Sequence, residues 1–244
     1  MPFLSFFPRK HRPAILFMGL LLPGTLWCQS ASSANGTADD STTSSKPVPG
    51  TISEKRIFGI IPNYRTAPFP HPYVPLRASQ KFKIATQDGF DRGTFVLAAA
   101  FAGEAQLTNS NRAFGQGLAG YGSYLGASYA DFVIGDYMTE AIFPSLLHQD
   151  PRYFRRGDGS VGSRLAYAAG QIFITHGDNG ATQFNYSELA GNATAVAISN
   201  AYYVNNRDVA DAVQKWGTQL GVDMASNILK EFWPDIRQKM SRKH

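Results

Sequence analysis

Two short polar stretches hold the side chains with the greatest chemical reach. Residues 148–158 gather His148, Asp150, Arg152, Arg155, Arg156 and Asp158, and residues 176–179 add His176, Asp178 and Asn179. Each stretch contains His-x-Asp. Histidine ionises at about pH 6.5 and serves as general base or nucleophile, an aspartate can fix its tautomer, and arginine forks suit phosphate or carboxylate. Together these groups would suit hydrolysis of a phosphate-bearing or other anionic substrate. His148, Asp150, His176 and Asp178 would be catalytic, and Arg152, Arg155 and Arg156 would bind the anion. A plainer arrangement is preferred, because no full catalytic motif is present: Asp150-Pro151 turns the chain, the arginines pair with Asp150 and Asp158, and the histidines satisfy helix ends.

Other chemistries find less support. No third ligand is spaced to complete a metal site around either histidine, and Asp178-Asn-Gly180 lacks the further carboxylates of a calcium loop. The chain has no phosphate-binding Gly loop ending in Lys-Ser/Thr, no Gly-x-Ser-x-Gly elbow and no His-Glu-x-x-His pair. Phe143-Pro-Ser145 and Ser163-Arg164 are only fragments of the signatures of helical lipid-phosphate phosphatases. No cofactor is expected. Cys28 is the single cysteine and lies near the N-terminus, so the rest of the chain has no disulfide, thiol nucleophile or thiolate metal site.

These residues need a scaffold, and composition allows one. The 244 residues are 43% apolar and 17% charged, enough for one domain with a proper core and unlike a disordered or collagen-like chain. The formal charge of +5 is misleading about partners. Three of the 23 cations lie in the first 34 residues and four more are Arg237, Lys239, Arg242 and Lys243, which leaves the body 16 cations against 18 anions. Nucleic acid is therefore not an expected partner; an envelope membrane or another protein is.

The N-terminus reads as an export signal. Arg9-Lys-His-Arg12 precedes the apolar run Ala14 to Leu22, which is short of the roughly 20 residues of a spanning helix and is broken by Pro23-Gly24. Cleavage is expected between Cys28 and Ala34, giving a signal peptide over 1–34; an uncleaved anchor is the alternative. Thr25-Leu26-Trp27 argues against a lipid-modified Cys28. A Ser/Thr-rich linker follows over 35–56, where nothing apolar offsets the entropy of ordering. The domain proper spans 57–236, and a basic tail covers 237–244.

Prolines at 62, 68, 70, 72 and 75 force an extended strap, whose Phe58, Tyr64, Phe69 and Tyr73 would lie on the domain surface. Helical signals then take over. The expected helices are Ser79 to about Thr86, Arg92–Leu107 capped by Asp91, Ala113 to Tyr137, and Met138 to His148 kinked or ended by Pro144. Three more follow: one to Thr175 capped by Ser163, one to Tyr203 capped by Ser187, and Val209 to Phe232 capped by Asp208 with Pro234 beyond.

Small residues recur four apart on these helices: Ala98/Ala102, Gly122/Gly126/Ala130, Ala166/Gly170, Gly191/Ala195/Ser199 and Gly217/Gly221/Ala225. Such a face lets helix backbones approach, which would offset the cost of helical glycine. Membrane association is the competing use, but Glu104, Asp131, Asp136, Asp223 and Lys230 interrupt the apolar windows, and no segment makes an ordinary spanning helix. A β-barrel fails because Tyr121, Tyr124, Leu125 and Tyr129 mix parities. The fold class is all-α, a compact bundle of about five to seven helices. Glu104, Asn192, Asn200, Asp223 and Asn227 read as a register-fixing polar network, with a polar ligand cavity inside the bundle as the sharper alternative.

Four strings then carry a resemblance: Phe58-Gly-Ile-Ile-Pro-Asn-Tyr64, Phe143-Pro-Ser-Leu-Leu-His-Gln-Asp-Pro-Arg-Tyr-Phe154, Phe184-Asn-Tyr-Ser187 and Glu231-Phe-Trp-Pro-Asp235. Over residues 57–237 the chain resembles a family of uncharacterised exported proteins of environmental bacteria. That resemblance implies export and a single domain, and no activity, cofactor or site. The expected function is thus an exported envelope protein, a binding or structural helical module, with the anionic-substrate hydrolase as alternative.

Overall fold

Asp91 begins the scaffold by fastening two elements at once. Its carboxylate accepts from the Gly93 amide (2.6 Å), capping helix α2 (Arg92–Leu107), and also accepts from Arg56 Nε (2.9 Å) and Tyr64 Oη (2.8 Å) of the strap. Gly93 is required where the two meet, because a Cβ there would lie 1.6 Å from the Ile60 carbonyl oxygen. The strap itself is extended, with a small hairpin of β1 (Arg56–Ile57) and β2 (Ile61–Pro62), and β3 (Thr66–Ala67) running parallel to β5 (Tyr153–Phe154). The computed structural model describes residues 56–68, 72–203 and 208–242, which fall in one unit. The expected export signal, Cys28, the linker up to residue 55, Phe69-Pro70 and Lys243 lie outside the described residues.

Helix α1 (Ala78–Gly89) starts one residue before Ser79, because the Gln80 side chain reaches back to the Arg77 amide (2.8 Å). Helix α3 (Gly117–Asp136) runs without a break into a π-helical turn (Tyr137–Ile142) and then α4 (Phe143–Leu146), with Pro144, which cannot donate, directly after the widened turn. The widened π turn brings Thr139 and Glu140 inside. Helix α5 (Val161–Gly170) is capped by Ser160, three residues before the expected Ser163, and ends before Thr175 because the chain there enters a sheet. Asn185, not Ser187, caps α6 (Tyr186–Ser199), since the Ser187 hydroxyl is taken by Gln149 (2.7 Å).

Helix α7 (Val209–Ser241) starts at the expected Asp208 cap but passes through Pro234. Proline removes one donor and crowds the preceding turn. The carbonyl that loses this donor is that of Lys230; the neighbouring Glu231 carbonyl accepts from Arg155 Nε and Arg164 Nη2, both at 2.8 Å, which brace the same turn from outside. Sequence periodicity also missed a three-stranded antiparallel sheet of β4 (Gln149–Asp150), β6 (Ile174–Gly177) and β7 (Thr182–Phe184).

The molecule is an all-α bundle, as expected, to which the unexpected short strands are added, and its small-residue stripes divide in two. Ala98 and Ala102 are fully buried where α2 meets α3, and a Cβ on Gly191 would press on Met138 and Thr139 at 3.0–3.1 Å. By contrast, Cβ atoms on Gly122, Gly126, Gly170, Gly217 and Gly221 would meet nothing within 4 Å. Those three stripes are not packing faces in this chain.

Candidate functional site

The sheet crosses the two His-x-Asp stretches. Asp150 lies opposite His176, and the Asp178 amide donates to the His148 carbonyl (2.8 Å), so each histidine stands beside the aspartate of the other stretch. The local chemistry, however, is ion pairing. Arg152 clamps Asp150 through Nε (3.0 Å) and Nη2 (2.6 Å) and reaches the Val74 carbonyl (2.8 Å), while Tyr73 Oη donates to the same carboxylate. Asp178 receives Lys81 Nζ at 2.7 and 2.8 Å; the exposed His148 imidazole is 3.8 Å away. His176 packs edge-on to Phe154, and burial lowers its pKa against the opposing pull of Asp150.

Arg155 pairs with Asp235 (2.9 Å), and the exposed Arg156 bonds Ser163 (2.9 Å) beside Asp158. The partner that organises this loop is Glu231, fully buried and accepting from Arg164, Tyr153 and the Arg156 and Gly157 amides at 2.8–3.0 Å. The cavity beside Asp150 and Arg152 has about 20 Å³, the room of a single water.

A different group of side chains surrounds a much larger space. A cavity of about 320 Å³ is lined by Asp88 of α1, Asp136 of α3, Glu140 of the π turn, Asp223 and Lys230 of α7, and Arg65 of the strap. Its remaining walls include Leu97, Phe101, Phe132, Val222 and Leu229. A second cavity of about 270 Å³ adjoins it, sharing Phe101, Phe132, Gln219 and Val222 and ending at Asp131, Tyr203 and Lys215. The two form a groove between the α2–α3 pair and residues 215–230 of α7. At its far end Asp131 accepts from Tyr202 (2.5 Å) and Tyr203 (2.8 Å), and Lys215 lies 3.5 Å from the centre of the Tyr203 ring.

The electrostatics of the larger cavity are unusual. Arg65 stands 3.5 Å from Glu140 and 3.9 Å from Glu188 of α6, and Asn192 ties Asp223 (3.0 Å) into the same group. The Asp88 and Glu140 carboxyls, 6% and 3% exposed, lie within hydrogen-bond reach of each other, while the buried Arg65 Nε has no hydrogen-bond acceptor. Burial, and then repulsion from Asp88, pushes Glu140 and Asp136 well above the carboxylate range; burial also raises Asp88. Burial and the nearby Asp223 raise Glu188 to about 8, and burial together with Arg65 lowers Lys230 to about 8. Burial opposes the Arg65 charge, but Glu140 and Glu188 outweigh it and its pKa is raised.

Sequence reasoning named Asn192 and Asp223 as interior polar groups but missed Arg65, Asp88, Glu140 and Lys230 as a set, because they come from four separate elements. Among the described residues, no group of three or more His, Cys, Asp and Glu side chains is placed to hold a metal ion, and no helix is long and apolar enough to cross a membrane. No protein-family model, no curated protein and no solved structure matches the chain.

Proposed function

We propose that the chain is an exported, non-catalytic binding module of the bacterial envelope, and that the groove between the α2–α3 pair and α7 is its ligand site. One observation carries the reading: the groove joins apolar walls to a floor of buried ionisable groups, among which Arg65 Nε lacks an acceptor. Specific small-molecule sites have this composition, and about 300 Å³ is the lower end of their usual size. The Arg-rich loop offers only water-sized space; Arg152 is spent on Asp150 and Arg155 on Glu231 and Asp235, and the exposed Arg156 bonds Ser163 beside Asp158. Export rests on the cationic and apolar N-terminal run and on the family resemblance. The exposed Leu107 and Leu118, 90% and 88% accessible near the α2–α3 turn, suit contact with an envelope membrane.

Uptake of the neutral apolar dye Nile red tests the site. Val222 faces both cavities, so Val222→Trp should fill the groove and abolish the fluorescence gain while the helical circular dichroism stays unchanged. Equal dye uptake by the variant would place binding elsewhere and end this reading. Carbonate extraction of the expressed protein tests membrane attachment.

A further inference from the structure

We propose that Lys230 captures an aldehyde or ketone with an apolar body in the larger cavity and holds it as a reversible imine. This rests on the binding-module reading and names its ligand class. Two lysines are buried among the described residues, in unlike settings. Lys81, 1% exposed, spends its ammonium group on the Asp178 carboxylate at 2.7 and 2.8 Å and on the Pro144 carbonyl at 3.0 Å. Lys230, 5% exposed, lines the cavity, and none of the described residues gives its Nζ a hydrogen bond or a close ion pair. Arg65 lines the same cavity, and its buried Nε also lacks an acceptor. Both unfilled positions are donors, so the complementary ligand must bring an acceptor, which an ammonium head does not have. Charge narrows the class further: Asp88, Asp136, Glu140 and Asp223 outnumber Arg65 and Lys230 around the space and repel an anionic head. A neutral acceptor remains. Among neutral acceptors the carbonyl is the one whose carbon a lysine amine attacks, and Leu97, Phe101, Phe132, Val222 and Leu229 would cover its apolar body.

The chemistry needs nothing beyond the amine, the carbonyl and a proton carrier. Burial and the neighbouring Arg65 charge lower Lys230 to about 8, so part of it is the neutral amine near neutral pH. The nitrogen lone pair bonds the carbonyl carbon, and the oxygen takes up a proton to give a carbinolamine. The hydroxyl then leaves with a second proton as water while the C=N bond forms. Both amine hydrogens depart with the carbonyl oxygen, no electrons are exchanged with a third party, and water reverses the sequence. The Asp88 and Glu140 carboxyls lie within hydrogen-bond reach of each other on the same lining, an arrangement that requires one of them to keep a proton. That proton helps the hydroxyl to leave and is restored from the nitrogen.

Hexanal with cyanoborohydride, which reduces an imine to a stable secondary amine, tests this on the full chain. Among the lysines, peptide mapping should find the hexyl group on Lys230 at least about tenfold faster than on the exposed Lys239, whose ordinary pKa leaves little neutral amine. Lys81, buried but paired, should stay unlabelled. Val222→Trp should block labelling of Lys230 and leave that of Lys239 unchanged, with the helical circular dichroism preserved. Labelling of Lys230 no faster than Lys239 or Lys81 overturns the proposal, and this comparison needs no variant. Labelling of Lys230 that persists in a folded Val222→Trp places the capture outside the groove and overturns it as well. In either case Nile red uptake keeps the binding-module reading standing; if Nile red is also excluded, both fall.

Discussion

Arg65 of the Pro-rich strap holds its guanidinium 3.5 Å from the Glu140 carboxylate and 3.9 Å from that of Glu188, joining the strap, the π turn and α6 through three buried side chains. Removing one member of a buried ion pair typically costs about 3–5 kcal/mol, because the other charge is left uncompensated. Arg65→Met should therefore destabilise strongly, and more at pH 8 than at pH 5, where protons can neutralise the stranded carboxyl groups. Adding Glu140→Gln to Arg65→Met should recover part of the loss. Urea unfolding of the two variants at both pH values checks this; a neutral Arg65→Met would show that the cluster is not held by charge.

The same cluster sets the pH dependence of the fold. Glu188 rises from 4.5 to about 8 on folding, and Asp88, Asp136 and Glu140 are raised with it. A carboxyl with a raised folded pKa stabilises below its unfolded value and loses that contribution as pH climbs through the folded one. Stability should fall between about pH 5 and 8. Lys230, lowered to about 8, acts oppositely: its contribution grows above that value, so the decline should level off. At the acid end, hydrogen bonds from Arg56 to Asp91 and from Arg164 to Glu231 overcome burial and lower those carboxyls, whose support vanishes as they protonate. Thermal melts should peak in mildly acidic solution, and Glu188→Gln should flatten the descending limb.

The Arg-rich loop should behave as a brace. Arg152 and Asp150 are both buried and doubly bonded, so Arg152→Ala should cost about 3–5 kcal/mol. Arg156 is exposed, and Arg156→Ala should change stability by no more than about 0.5 kcal/mol. Equilibrium unfolding separates the two. Equal effects would contradict the assignment of Arg152 as the buried member.

How much of this was legible depended on whether the determining contact was local. Asp91 and Asp208 precede apolar-periodic runs, and both cap helices at the residues their types indicate. The strand pair flanking Asn179-Gly180 left only a short local mark, because Gly180 at φ +80° turns between Ile174-Thr-His and Thr182-Gln-Phe, runs too short to show alternation. Pro234 was misleading, since the arginines that brace its turn through the Glu231 carbonyl lie far back in the sequence. The cavity was least visible. Asp136, Asp223 and Lys230 looked like interruptions of apolar helices, and nothing in a run of prolines marks Arg65 as the cation that faces Glu140 and Glu188. Only tertiary packing converges them.

Glycines give a final contrast, because two residue types that look alike in sequence meet opposite surroundings. Gly93 lies under the strap, where an added Cβ would fall 1.6 Å from the Ile60 carbonyl oxygen, a backbone atom that cannot move without lifting β2. Gly93→Ala should destabilise by well over about 1 kcal/mol and expose residues 57–67 to hydrogen exchange. Gly217 and Gly221 lie within α7 with nothing within 4 Å of an added Cβ. Alanine there removes unfolded-chain freedom without strain, so each replacement should stabilise by about 0.5–1 kcal/mol. Urea midpoints of the three variants decide the matter. A loss of stability at Gly217→Ala or Gly221→Ala would mean that this face is covered by something in solution, and the stripe would regain the packing role that its spacing suggests.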